Sequence, residues 1–211
     1  MATLQEQVAG ITGLTIGTTP TANELSQFLK DGVIDVTNRS IALNPRNKDD
    51  FLRATSTTST NGLEVEGDII SVIREAEADG DADGSSAWRA CKRIPMSLQS
   101  RVVDTDSIYF ASKYNPVYTV GSNSIISVYP VPDGTNDGFR VHYVNNEPKG
   151  DGLSDTLAAG HTTIGYFPKD KVHLVVIYAG IKSLENKLGE LTIDEEDSEL
   201  SRSLNAQLES L

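Results

Sequence analysis

Lys171-Val-His-Leu-Val-Val-Ile-Tyr-Ala-Gly-Ile-Lys-Ser-Leu-Glu-Asn-Lys-Leu188 decides how the rest of the chain is read. Leu174, Tyr178, Ile181, Leu184 and Leu188 are spaced four, three, three and four residues apart, which places them on one face of a helix. Pro168 stands before the stretch, and Gly189 is expected to stop the helix as its C′ residue. Upstream, residues 62–146 are patterned for strands, and the N-terminal segment is again helical. The chain therefore leaves a helical layer, builds a sheet and returns to the helical layer. The fold class expected is α+β, with N- and C-terminal helices forming a bundle around an inserted antiparallel sheet or sandwich lobe. The boundaries that follow are 1–54 and 165–211 for the bundle and 55–164 for the lobe.

At the N-terminus, 3–11 is a short helix candidate interrupted by Gly10 and Gly13. Thr21-Ala-Asn-Glu24 has the spacing of a capping box, and behind it Leu25, Phe28, Leu29, Val33 and Val36 form one apolar stripe. Residues 44–61 are polar, and the Ser/Thr run 54–61 has too little apolar content to pack alone, so this stretch reads as the crossing from helices to sheet. Leu63, Val65 and the run 69–73 begin the β region, where β-branched residues and alternation favour strands. Residues 108–111 read as a further short strand. The clearest hairpin joins 117–120 to 125–129 through Gly121-Ser-Asn123, since Gly and Asn tolerate the positive φ of a tight turn. Phe139-Arg-Val-His-Tyr-Val144 alternates as the next strand. A last helix over 194–211 opens on Asp-Glu-Glu-Asp and carries Leu200, Leu204, Leu208 and Leu211 on one face. Bundling this helix with the two longer ones would bury all three stripes.

A chain of 211 residues suffices for a sizeable core, and 38% hydrophobic with 23% charged residues is the composition of a globular protein. No apolar run approaches the roughly 20 residues of a membrane helix, so no membrane partner is expected. Met-Ala-Thr-Leu-Gln-Glu-Gln lacks the basic and apolar regions of a secretory signal, so the chain is expected to remain in the cytoplasm where it is made. The single cysteine, Cys91, reads as a small buried side chain. Net charge is −12, and from 190 to 211 seven acids face one base, Arg202, so half of that charge lies in the last 22 residues. Such a surface opposes gripping nucleic acid through counterion release, but not DNA sliding past it.

Few residue patterns carry chemistry. Asp79-Gly-Asp-Ala-Asp-Gly84 matches the start of a calcium loop, with Asp79, Asp81 and Asp83 as candidate ligands, but position twelve is Ala90 where a bidentate Glu belongs, and a solvated acidic turn is favoured. His142, His161 and His173 are too scattered for a local ligand pair, and neither a Gly-x-Ser-x-Gly elbow nor a phosphate-cradling loop occurs. No catalytic residue, no metal and no cofactor are therefore assigned, and an enzyme is not expected. Arg89, Lys92, Arg93 and Arg101 form the densest basic cluster, beside Trp88, and read as a contact for an acidic protein neighbour. Tyr109, Tyr114, Tyr118, Tyr129 and Tyr143 fall in the β region, either as core and cross-strand packing or as a binding face.

Three stretches carry a family resemblance: Glu24-Leu-Ser-Gln-Phe-Leu-Lys-Asp-Gly-Val-Ile-Asp-Val, Asn115-Pro-Val-Tyr-Thr-Val-Gly-Ser-Asn-Ser-Ile-Ile-Ser-Val-Tyr-Pro, and Leu174 to Gly189. In order along the chain, they resemble virion structural proteins of tailed marine and cyanobacterial bacteriophages, above all the head-to-tail adaptor, or neck, proteins beneath the portal. The resemblance implies a helical bundle with a β insertion, repeated as a homo-oligomeric ring of twelve copies. The ring would sit in the virion between portal and tail or nozzle proteins, with Leu200, Leu204, Leu208 and Leu211 as candidate contacts to the portal or a neighbouring subunit, and the chain would be made in the bacterial host cytoplasm. DNA would pass through its lumen without specific binding, in keeping with the acidic charge. The alternative within the virion is a tail-completion or fibre-anchoring protein.

Overall fold

The computed structural model describes residues 2–76, 87–133 and 137–193, together with 206, 207 and 209. It is a mixed α+β protein with helices at both ends of the chain flanking a sheet region. The chain divides into two compact units, one formed by 1–51 and 146–211 and the other by 52–145.

The helical unit begins with α1 (Leu4–Thr12) and α2 (Ala22–Leu43), each opened by a complete capping box. In α2 the Thr21 hydroxyl accepts the Glu24 N–H while the Glu24 carboxylate accepts the Thr21 N–H at 2.8 Å, so side chains satisfy amides that the first turn leaves free. Thr3 and Glu6 do the same for α1. Gly10 lies inside α1, and Gly13 ends it in the left-handed conformation, at φ 68. Leu25, Leu29, Val33 and Val36 are buried along α2 and Phe28 partly so. Each fully buried Leu or Val contributes about 1.5–3 kcal/mol.

The long C-terminal helix, α4 (Val172–Ile193), packs against both α1 and α2. Two features differ from the sequence reading. The helix runs through Gly189, which is exposed and does not take a positive φ, so the glycine costs about 1 kcal/mol of helix propensity without ending it. The buried face is Val175, Val176, Ala179, Gly180, Ser183 and Leu184, whereas Leu174 is exposed. Small residues account for that rotation: a Cβ on Gly180 would lie 2.8 Å from Ile11 Cδ1, and one on Gly32 of α2 would lie 3.1 Å from Tyr178 Cδ1 and 3.2 Å from Val175 Cγ1. The helix backbones therefore approach closely on the small-residue face.

The sequence reading assigns 146–164 to the β lobe, but this segment clusters with the helices, and its hydrogen bonds explain why. The carbonyls of His161 and Ala159 accept the free N–H groups of Leu4 and Gln5 at the start of α1, at 2.8 and 2.9 Å. Ala159 in turn donates its N–H to the Ser26 hydroxyl of α2 at 3.0 Å.

In the second unit, the strands are β1 (Leu52–Thr57), β2 (Leu63–Glu64), β3 (Asp68–Ala76), β4 (Ala87–Ala90), β5 (Lys92–Arg93), β6 (Val117–Val120), β7 (Ile125–Tyr129) and β8 (Phe139–Val144), with a short helix α3 (Gln99–Val102) after β5. They form two four-stranded sheets, ordered β1-β8-β3-β4 and β2-β7-β6-β5, antiparallel except for the parallel β5–β6 pair. One apolar cluster draws on both: Val72, Phe139 and Val141 from the first sheet meet Tyr118, Ile126 and Val128 from the second. The expected hairpin pairs Val117 with Tyr129 and Val120 with Ile126, and its turn carries Asn123 and Ser124 at φ 55 and 56.

Two strand expectations change. Residues 54–57, read as part of a crossing, belong to edge strand β1, where Thr55 faces Val141 and Thr57 faces Phe139. Pairing with β8 supplies the stability that local composition lacks, and threonine, being β-branched, suits a half-exposed strand. Residues 108–111, read as a strand, form a turn at 108–109 followed by irregular chain, with Ile108 92% exposed.

Candidate functional site

A cleft of the helical unit, about 720 Å³, is lined by Leu153, Ile164, Phe167 and Val172 together with Asp50, Asp151, Lys169 and His173. Both of these carboxylates are engaged. Asp50 pairs with Lys171 at 2.6 Å, and that ammonium also lies 5.3 Å from the Phe51 ring, which meets Phe167 edge-on. Asp151 accepts the Thr163 N–H at 2.6 Å and the Thr162 N–H at 3.1 Å, together with both threonine hydroxyls. The two backbone N–H groups, Thr162 first, hold its carboxyl down from 3.8 to about 2, so it remains ionised as a loop staple. The cleft has an apolar floor and a rim whose acids already serve the fold.

The three histidines play separate parts. His142, in β8, shares a hydrogen bond with the cross-strand Ser71 at 3.1 Å. His161 accepts the Ala158 N–H on Nδ1 at 3.0 Å, and its ring fills the space a Cβ on Gly150 would need, 2.2 Å away. His173 is exposed on the cleft edge. Among the described residues no group of three His, Cys, Asp or Glu side chains could hold a metal. The loop with Asp79, Asp81 and Asp83 lies outside the described residues, as do Leu200, Leu204, Leu208 and Leu211. Cys91 is partly buried against the lobe core, and burial pushes its thiol up to about 12.

A second candidate lies on the β lobe, where the structure brings the basic cluster together with exposed aromatics. Arg89 of β4 lies over the Tyr114 ring at 5.1 Å, and Lys113 approaches the same ring at 5.4 Å. Arg101 of α3 lies over Tyr109 at 5.8 Å, and Arg140 of β8 over Trp88 at 4.9 Å. Lys92 and Arg93 are exposed on β5, which is hydrogen-bonded to β6. The loop that displays Tyr109 is closed at its base by the Ala111 N–H on the Val102 carbonyl at 2.9 Å, and Val102 and Ala111 are buried with Val117 and Tyr129. Beyond this anchor, Val103, Ile108, Tyr109 and Phe110 stand in solvent, and Tyr114 is 60% exposed.

The five tyrosines thus divide, Tyr118 and Tyr129 buried, Tyr143 partly buried against the lobe core, and Tyr109 and Tyr114 displayed. Sequence reasoning found Arg89, Lys92, Arg93, Arg101, Tyr109 and Tyr114, but not Lys113 and Arg140 as partners of the rings, nor Val103, Ile108 and Phe110 as surface residues. Their apolar character alone reads as core, and their exposure follows only from how the loop is anchored. Arginine with displayed aromatics is the composition enriched at protein interfaces. Among the described residues no helix is long and apolar enough to cross a membrane. No protein-family model matches the chain, and no curated protein matches it.

Proposed function

We propose that this chain is a structural component of a tailed-phage virion, a head-to-tail adaptor whose twelve copies form a ring beneath the portal and connect it to the tail, with DNA passing through the lumen. The observation that carries this reading is the displayed aromatic and arginine surface of the β lobe, which has the makings of a protein contact rather than of a reaction centre. The resemblance of the α2, β6–β7 and α4 sequences supplies the assembly to which such a contact would belong. A ring uses heterologous contacts, so each copy needs two different faces, and a helical unit plus a β lobe offers them. A net charge of −12 suits a lumen that lets DNA slide. In this reading the terminal helices meet the portal or a neighbouring copy, and the lobe faces outward or toward the tail.

Exposed Tyr109, Phe110 and Trp88 favour a second virion reading, a tail-completion or fibre-anchoring protein. Electron microscopy of the particle from which the protein comes, classified around the neck, separates the two. A ring of this chain under the portal is the expected result. Density elsewhere in the tail would move the role to tail completion or fibre anchoring, and absence from the particle would overturn the virion reading.

A further inference from the structure

The lobe surface and the carboxyl-terminal segment carry opposite charge. Across 88–114, five bases (Arg89, Lys92, Arg93, Arg101, Lys113) face two acids (Asp104, Asp106), a net +3 in a chain of −12. Four of those bases are exposed, and Arg89, Arg101 and Lys113 flank displayed tyrosines. Residues 194–199 carry five acids and no base, with Leu191, Ile193 and Leu200 as apolar neighbours in sequence. That mixture of carboxylates and aliphatics matches a surface of guanidinium groups and aromatic rings. The acidic stretch belongs to the helical unit at both ends: it follows α4, and beyond it the Gln207 side chain donates to the Thr12 carbonyl of α1 at 3.0 Å. The sequence thus places an acidic stretch after α4 and a basic, aromatic surface on the β lobe of the same chain, opposite charges of the kind from which head-to-tail contacts between copies are built.

We infer that the basic and aromatic surface over 88–114 of one copy receives the acidic stretch 194–199 of a second copy. This rests on the reading of the lobe surface as a contact between chains, and it names the partner as this same protein. Carboxylates of the second copy pair with Arg89, Lys92 and Arg93, while its flanking aliphatics lie on Tyr109, Phe110 and Tyr114. The contact weakens with salt, because exposed charges screened over about 8–10 Å steer and orient it.

The test mixes full-length native chains, half of them labelled with 15N, and treats them with a carbodiimide, which joins carboxylates to lysine amines. Cross-links from 194–199 to Lys92 or Lys113 that pair labelled with unlabelled peptides are expected. Charge reversal at the lobe (Arg89→Glu with Arg93→Glu) lowers their yield at least about tenfold. Reversal of the tail (Asp194→Lys, Glu195→Lys, Glu196→Lys and Asp197→Lys) does the same for association measured by sedimentation, and mixing the two variants restores it. Arg89 and Arg93 are both exposed, so the lobe variant should melt like the native chain. Cross-links confined to a single label would mean that the tail meets its own lobe and would overturn the inference. So would their absence, or failure of the mixture to associate. A ring seen in the particle without these cross-links would sink this contact alone, and cross-links without a ring would sink the adaptor reading alone.

Discussion

Asp151 shows how a single side chain can organise a loop that lacks regular structure. Four donors converge on it from Thr162 and Thr163, and their N–H groups hold its carboxyl at about 2. A carboxyl depressed in the folded state stabilises the fold above its unfolded value of 3.8, and that contribution is lost as pH falls through the folded value. Acid should therefore loosen 160–163 progressively, between roughly pH 5 and pH 2. The amide shifts of Thr162 and Thr163, followed by NMR, should titrate with a midpoint near 2, and a midpoint near 3.8 would contradict the staple. Asp151→Asn should lower thermal stability at neutral pH, and its difference from the native chain should shrink as the solution is acidified. None of this was legible in the sequence, because Asp151 and its partners lie eleven and twelve residues apart with no periodic signal. Their meeting depends on Lys149 bridging to Thr156 and Gly165.

Among the elements, α2 was the most readable, since a capping box is made by residues three apart and needs no distant partner. Thr21→Ala removes the hydroxyl that accepts the Glu24 N–H and should cost about 1 kcal/mol, read as a lower denaturant midpoint. An unchanged midpoint would mean that packing against α4 alone sets the start of the helix. The Thr3 and Glu6 box of α1 obeys the same local rule and was equally available in the sequence. Strands were harder to read. β1 is polar and forms because β8 pairs with it, whereas 108–110 is apolar and forms none because it is carried out into solvent. The bulge of β3 between Ile69 and Ser71, beside exposed Ile70, likewise arises from register with β8.

At the scale of the whole molecule, every strand pairing among the described residues joins residues within 52–145. Both sheets also contribute to one apolar cluster inside the same span. The span expressed alone should fold, with a cooperative thermal transition and strand-type circular dichroism, and a chain that stays unfolded would show that the lobe depends on the helices. Arg74, nearly fully buried and paired with Asp137, is part of what the isolated lobe must keep satisfied, since a buried charge without its partner costs several kcal/mol. By itself the sequence determined what is local: two capped helices, the hairpin through Asn123, the alternation of 139–144, the acidic balance, and a helical layer interrupted by sheet. These depend on neighbours a few residues apart, where spacing and backbone preference act directly. Only the tertiary structure decided which face of α4 is buried, because close approach selects Ala179, Gly180 and Ser183 for their small size rather than their hydrophobicity. It alone also decided that Ile108, Tyr109 and Phe110 lie outside the core beside the arginines, since burial is settled by which surfaces remain once the sheets have packed.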